Sequence, residues 1–220
     1  MALYLDSALI EDARRSAALG FVAGITTNPT LIARTGRAAP DLIAELCDIH
    51  PGTVFYQPVS ATLEEREAEV RSLAAVRPTR IALKLPSTTE NFTLAARLAQ
   101  EGFVVAMTAI FSPAQVFLAH VAGARYVVPY VSRSTRLLGD GPGLVRSMRA
   151  VIDACGGTVE ILAASVKTPG EAIDALLVGS HSLTLPLDVI ERLGCHELSE
   201  QAIAEFAEAA RSIPGRPATA

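Results

Sequence analysis

Short apolar runs rich in β-branched residues recur along the chain. Each is followed by a stretch whose apolar residues return at helical spacing, and about eight such units fill the sequence. The runs predict strands at 3–6, 22–26, 53–57, 80–85, 103–107, 125–129, 159–163 and 181–185, with a helical stretch after each. The clearest helix boundaries enclose 62–75, 88–100, 113–121, 142–155 and 169–179. Thr62-Leu63-Glu64-Glu65 reads as a capping box, Pro113, Pro142 and Pro169 lie near first turns, and Gly102, Gly123, Gly156 and Gly179 near the ends. Alternation this regular argues for parallel strands, and 220 residues suffice for one α/β domain, 1–220, built as a (β/α)8 TIM barrel. A doubly wound open sheet competes. It usually carries a glycine-rich phosphate loop after the first strand, and Leu5-Asp6-Ser7-Ala8-Leu9 contains no glycine.

Beyond the eighth unit, 197–212 predicts an additional helix. Leu198, Ala202, Phe206 and Ala209 share one face, widened by Ile203 and Ala210. That stripe has no unfilled place on the parent barrel, so a neighbouring subunit is its expected partner; packing back onto the barrel is the alternative. Pro214 to Ala220 reads as a disordered tail.

Composition narrows the class of partner. Half the residues are hydrophobic but only 5% aromatic, which suits an aliphatic α/β interior better than a β-sandwich. With a net charge of −4 and no basic run, the chain lacks the patch that nucleic acid or a membrane surface would require, and a small-molecule substrate is expected. Cys47, Cys155 and Cys195 have no CxxC spacing and read as reduced packing residues; His50, His120, His181 and His196 are isolated and do not suggest a zinc site. The first residues form a strand rather than a signal peptide, and no segment reaches membrane-span length, so a cytoplasmic location is expected.

The distribution of cations then brings in chemistry. Lysine occurs twice, at Lys84 and Lys167, against seventeen arginines. Lys84 lies inside the apolar run Ile81-Ala82-Leu83-Lys84-Leu85-Pro86. An arginine there would stay charged, whereas a desolvated lysine becomes a free amine able to attack a carbonyl. A structural lysine paired with an acid is the plainer reading. The other strand ends are polar as well: Asp6, Thr26 with Asn28, Gln57, Thr108, Tyr130, and Ser165 with Lys167. Singly, these are helix caps, turns or a core ring with a wet hydroxyl. In a parallel barrel they converge on the carboxyl-end face, where such a set suits a reaction at a carbonyl.

The motifs Gly24-Ile25-Thr26-Thr27-Asn28-Pro29-Thr30, Lys84-Leu85-Pro86-Ser87-Thr88, Pro129-Tyr130-Val131-Ser132-Arg133 and Ala163-Ala164-Ser165-Val166-Lys167 resemble, in order and spacing, those of the transaldolase family. The likeness runs from Tyr4 to about Ile190, and the short length resembles the small-transaldolase and fructose-6-phosphate aldolase branch. It implies a class I aldolase barrel in which Lys84 forms a Schiff base with a ketose, so that neither a metal nor another cofactor is required. Gln57 and Tyr130, where transaldolases proper carry glutamate and usually phenylalanine, imply direct aldol cleavage. On this mapping Tyr130 exchanges the proton of the leaving hydroxyl, and Gln57 and Thr108 hold a relaying water. Asp6 pairs with the ammonium or with substrate hydroxyls, Thr26, Asn28 and Ser165 hold the donor, and Arg133 and Lys167 receive the phosphate. Two departures bear on substrate choice: Arg133-Ser134-Thr135-Arg136 lacks the acidic residue common in relatives, and Val128 narrows the mapped donor pocket.

The leading expectation is cleavage or formation of fructose 6-phosphate from dihydroxyacetone and glyceraldehyde 3-phosphate. Transaldolase transfer of dihydroxyacetone between sugar phosphates uses the same lysine. A sugar-phosphate-binding barrel without turnover is the non-enzymatic alternative, and a metal-dependent aldolase lacks ligands. The small branch also forms rings of subunits, commonly decamers of two pentamers with the last helix reaching a neighbour, so a homo-oligomer, and specifically a decamer, is expected.

Overall fold

A computed structural model describes residues 1–213 of the chain; Pro214 to Ala220, read above as a disordered tail, lie outside the described residues. Eight parallel strands close into a barrel in sequence order: β1 (Ala2–Asp6), β2 (Gly24–Thr26), β3 (Thr53–Tyr56), β4 (Ile81–Pro86), β5 (Val105–Ile110), β6 (Tyr126–Pro129), β7 (Glu160–Ala163) and β8 (Ser182–Leu185). β8 pairs back to β1 through Leu3↔Leu183 and its neighbours, which completes the ring. The TIM barrel forms as predicted and all eight strands overlap the apolar runs, although β5 ends three residues later and β2 starts two residues later than predicted.

The outer helices are α1 (Ile10–Leu19), α3 (Ala39–Ile49), α4 (Leu63–Val76), α5 (Thr89–Gln100), α6 (Pro113–Val121), α8 (Gly141–Cys155), α9 (Pro169–Leu177) and α10 (Leu187–Leu193). Their starts follow local chemistry: Thr62 and Ser112 make reciprocal capping boxes with Glu65 and Gln115, and Thr88 and Thr168 accept from the third backbone N–H beyond them. Two short helices depart from the simple repeat, α2 (Pro29–Thr35) after β2 and α7 (Val131–Leu138) after β6. Among the described residues no helix is long and apolar enough to cross a membrane.

The alternation of side chains across each strand divides the core in two. Outward residues such as Leu5, Ile25, Leu83, Met107 and Leu185 pack under the helices, whereas Tyr4, Phe55, Ala82, Ala106, Tyr126, Val128 and Leu162 fill the barrel itself. Tyr4 and Tyr126 both meet Phe55 edge-on, at 5.5 and 5.3 Å between ring centroids, so the lower barrel is a packed plug. Val128 belongs to this buried interior and is not among the residues lining the cavity above it, against the expectation that it narrows the pocket wall.

The last helix, α11 (Glu197–Arg211), forms as predicted, and none of its residues is buried; Leu198, Ile203 and Phe206 are each about two-thirds exposed or more, at 67%, 65% and 71%. Cys47 packs in the core, but Cys155 and Cys195 are exposed, so two of the three expected packing cysteines are surface residues. Cys155 is the last residue of α8, and Cys195 lies two residues beyond the end of α10.

Candidate active site

Two residues above most of the inward side chains of the plug lies another inward position, and there the barrel changes character. Tyr4 is followed by Asp6, Phe55 by Gln57, Ala82 by Lys84, Ala106 by Thr108, Val128 by Tyr130 and Ser182 by Thr184. All of these but Thr108 rise from the plug into a cavity of about 450 Å³ at the carboxyl ends of the strands. Asp6, Thr26, Asn28, Gln57, Lys84 and Tyr130 line it, as do Arg133, Ser165 and Lys167, which leaves Thr108 as the one candidate not on the wall. Thr108 is buried behind Tyr130, and the two hydroxyls are 3.2 Å apart. A bulge in the β5–β6 pairing, where Thr108 faces Val128 but Ile110 faces Pro129, leaves Ala109 with φ of 55° at this point.

Lys84 is 4% exposed, and its Nζ donates to the carbonyl oxygen of Thr27 at 2.6 Å. Burial lowers its pKa from the ordinary lysine value to about 8, an effect that the Asp6 charge opposes. No ion pair joins Lys84 directly to Asp6, because the amine is drawn to the Thr27 carbonyl instead. Burial in turn pushes the Asp6 carboxyl upward, against the pull of Lys84, the Thr26 hydroxyl and Lys167. Thr26 donates to Asp6 Oδ1 at 2.9 Å, and its oxygen lies 2.6 Å from that of Thr184. Since the single Thr26 proton goes to the carboxylate, Thr184 must donate to Thr26. The three groups form a directed chain from β8 through β2 to β1.

On the opposite wall the Tyr130 ring lies edge-on to Phe111 and carries the Arg133 guanidinium 4.9 Å from its centroid. The exposed Arg133 is thereby held at the mouth. Ser165 has φ of 58°, a left-handed conformation unusual for serine, directly on the cavity. Asn28 Oδ1 accepts from the Leu31 backbone N–H at 3.0 Å, so the cap of α2 fixes the amide that faces the cavity. The Gln57 Oε1 is buried without a hydrogen-bond partner, an acceptor open to a water or a substrate hydroxyl.

Sequence reasoning missed Thr184 and the α2 residues Thr30, Leu31 and Arg34, all of which line the cavity. For Thr184 the signal was present, because it stands two residues after the inward Ser182. Arg34 had none, since its place depends on a seven-residue helix that carries no periodic apolar face.

A closed parallel (β/α)8 barrel with a buried amine at its carboxyl-end cavity defines the chain as a TIM-barrel protein built for chemistry at that face. The chain belongs to the transaldolase/fructose-6-phosphate aldolase family, whose model matches residues 3–214. It is similar to proteins named "Probable transaldolase" from Geotalea uraniireducens (strain Rf4), 37% identical over 97% of this chain and 100% of the relative, and from Caulobacter sp. (strain K31), 39% identical over 94% of each. A protein of the same name from Geobacter sulfurreducens (strain ATCC 51573 / DSM 12127 / PCA) is 36% identical over 97% of this chain and 100% of its own length. The family is one of enzymes, transferases or lyases.

Proposed function

We propose that the protein is a class I aldolase that cleaves or forms fructose 6-phosphate through a Schiff base on Lys84. The observation that carries this reading is a lysine amine buried among apolar strand residues at the floor of a polar cavity, with its pKa lowered by burial to about 8. Lys84 Nζ attacks the ketose carbonyl carbon, and loss of water from the carbinolamine leaves an iminium. The C3–C4 bond then breaks, its electron pair passing into the iminium to give an enamine, while the C4 hydroxyl proton leaves through Tyr130. Glyceraldehyde 3-phosphate departs, C3 is reprotonated, and hydrolysis frees dihydroxyacetone and the amine. Asp6 supports the charged nitrogen or the donor hydroxyls, and Gln57, with its open acceptor, holds the relaying water beside the Tyr130–Thr108 pair. Thr26, Asn28 and Ser165 hold the donor end, while Arg133 and Lys167 take the phosphate at the mouth.

Transfer of the dihydroxyacetone unit to a second aldose is the alternative, favoured by the names of the relatives. One assay separates the two: fructose 6-phosphate is supplied with and without erythrose 4-phosphate. Release of glyceraldehyde 3-phosphate without the acceptor supports the aldolase; dependence on the acceptor moves the enzyme to the transferase side. Borohydride trapping of the ketose, followed by mass spectrometry, tests the nucleophile, and an adduct on Lys167 overturns its assignment.

The exposed apolar face of α11 supports assembly into a homo-oligomer, a decamer in this reading, with α11 on a neighbouring subunit. A monomeric mass by light scattering for the intact chain, or an unchanged large mass after truncation at Gly194, defeats it. A cytoplasmic location accompanies the proposal.

A further inference from the structure

The chain ties down most of its arginines. Arg71, Arg77, Arg97, Arg125, Arg149 and Arg192 pair with carboxylates on the outer surface, and Arg66 and Arg80 are spent on backbone carbonyls. Among the described residues, Arg34, Arg133, Arg136 and Arg146 are left without a hydrogen bond or an ion pair, and two of these, Arg34 and Arg133, line the cavity. Solvated arginines scattered at random would not collect there. Lys167, the other cation of the lining, likewise has no carboxylate partner for its amine. Against these cations the same lining offers one carboxylate, Asp6, and that one is occupied by Thr26 at the floor.

The two arginines stand on opposite walls. Arg34 is on α2, which follows β2, and Arg133 is on α7, which follows β6; in a closed ring of eight strands, β2 and β6 lie four places apart. Each is thus delivered by one of the two short helices that interrupt the simple repeat. Arg133 and Lys167 reach the mouth from the β6–β7 side. A phosphate bound there by those two alone would turn at least one of its three terminal oxygens toward the opposite wall. Arg34 also sits in the last turn of α2, where a cation suits the helix dipole, but that benefit does not require it to face the cavity.

We infer that Arg34 is a third anion-binding residue of the cavity, closing on the phosphate of the substrate from the wall opposite Arg133. The inference rests on reading Arg133 and Lys167 as the phosphate-binding cations. It makes α2 a determinant of specificity: substrates with a dianionic end long enough to sit between the two walls are favoured over their unphosphorylated counterparts.

The test is titration of the intact protein with inorganic phosphate at low ionic strength, comparing wild type with Arg34→Gln, Arg133→Gln and, as a control remote from the cavity, Arg146→Gln. Arg34→Gln and Arg133→Gln should each weaken binding by about tenfold, the loss of one charge-assisted contact, while Arg146→Gln binds as wild type does. With fructose 6-phosphate, Arg34→Gln should raise KM and leave kcat within about twofold, since only binding shared by ground and transition state is lost. Phosphate binding unchanged in Arg34→Gln but weakened in Arg133→Gln overturns the inference, as does a wild type that binds no phosphate. Borohydride trapping of unphosphorylated dihydroxyacetone on Lys84 is read in parallel. If trapping fails while phosphate binding depends on Arg34, the aldolase reading falls and this one stands; the reverse pattern sinks Arg34 and spares the lysine.

Discussion

At its amino end the barrel is finished with polar groups that are mostly tied down. Arg80 donates to the carbonyl oxygens of Cys47, His50 and Gly52, and His50 Nδ1 accepts from the Gly52 N–H, so the turn into β3 is held from both sides. At the carboxyl end the same strands present a buried amine, an acceptor on Gln57 without a partner, a serine in a left-handed conformation and arginines without carboxylates. Bonding that is nearly complete at one end, where the one buried side-chain polar atom without a partner among the described residues is His50 Nε2, and left open at several groups at the other is the physical difference between holding a fold and receiving a ligand. Stability and chemistry are therefore separable by depth along the barrel axis.

Substitutions at the two ends should respond to different measurements. The largest effect is expected at Lys84: Lys84→Arg should give no borohydride adduct and no measurable turnover, because a guanidinium does not lose its proton. In the wild type only the free amine reacts, so trapping should rise about tenfold per pH unit below the Lys84 pKa and level off above about 8. A rate flat from acid to alkaline pH contradicts the assignment. Tyr130→Phe should lower turnover by roughly 10²-fold with little change in melting temperature, measured by steady-state kinetics and calorimetry together. Arg80→Ala reverses that pattern: stability should fall by about 1–3 kcal/mol in denaturant titration as several carbonyls lose their donor, while the pH profile of trapping stays put. The smallest change is expected from Thr184→Val. Removing the donor to Thr26 weakens the support of the Asp6 carboxylate, and with it the attraction that raises the Lys84 pKa, so the trapping midpoint should move down by about half a pH unit or less. An upward move breaks the Thr184–Thr26–Asp6 chain as an account of the site.

Most of the barrel was legible because parallel strands buried on both faces read as continuous apolar runs, and five of the eight outer helices open on a side-chain cap. The polar strand ends were legible for the related reason that a side chain two residues past an inward apolar one must also point inward. What escaped was short or indirect. No helix is predicted at α2, although Asn28 as cap, Pro29 in the first turn and Gly36 at the end bound it; a helix of seven residues offers too few positions for an apolar period to stand out. α7 was hidden in the same way, inside a motif read for its chemistry. Thr108 was expected on the wall and lies behind it, against Tyr130, a contact between β5 and the end of β6 that no local residue pattern announces. Cys155 and Cys195 show the limit of composition, which states how many thiols there are but not which way a helix end faces.

Lys167 stands exposed at the lip of the cavity, and the chain's only other side-chain amine is enclosed below it. Any amine-directed reagent too large to enter, whether an activated resin, a dye ester or a cross-linker, therefore has that lip as its one side-chain target among lysines. Immobilising the protein through lysine would seal its own doorway, and a support chemistry aimed at the exposed thiols of Cys155 or Cys195 is the better anchor.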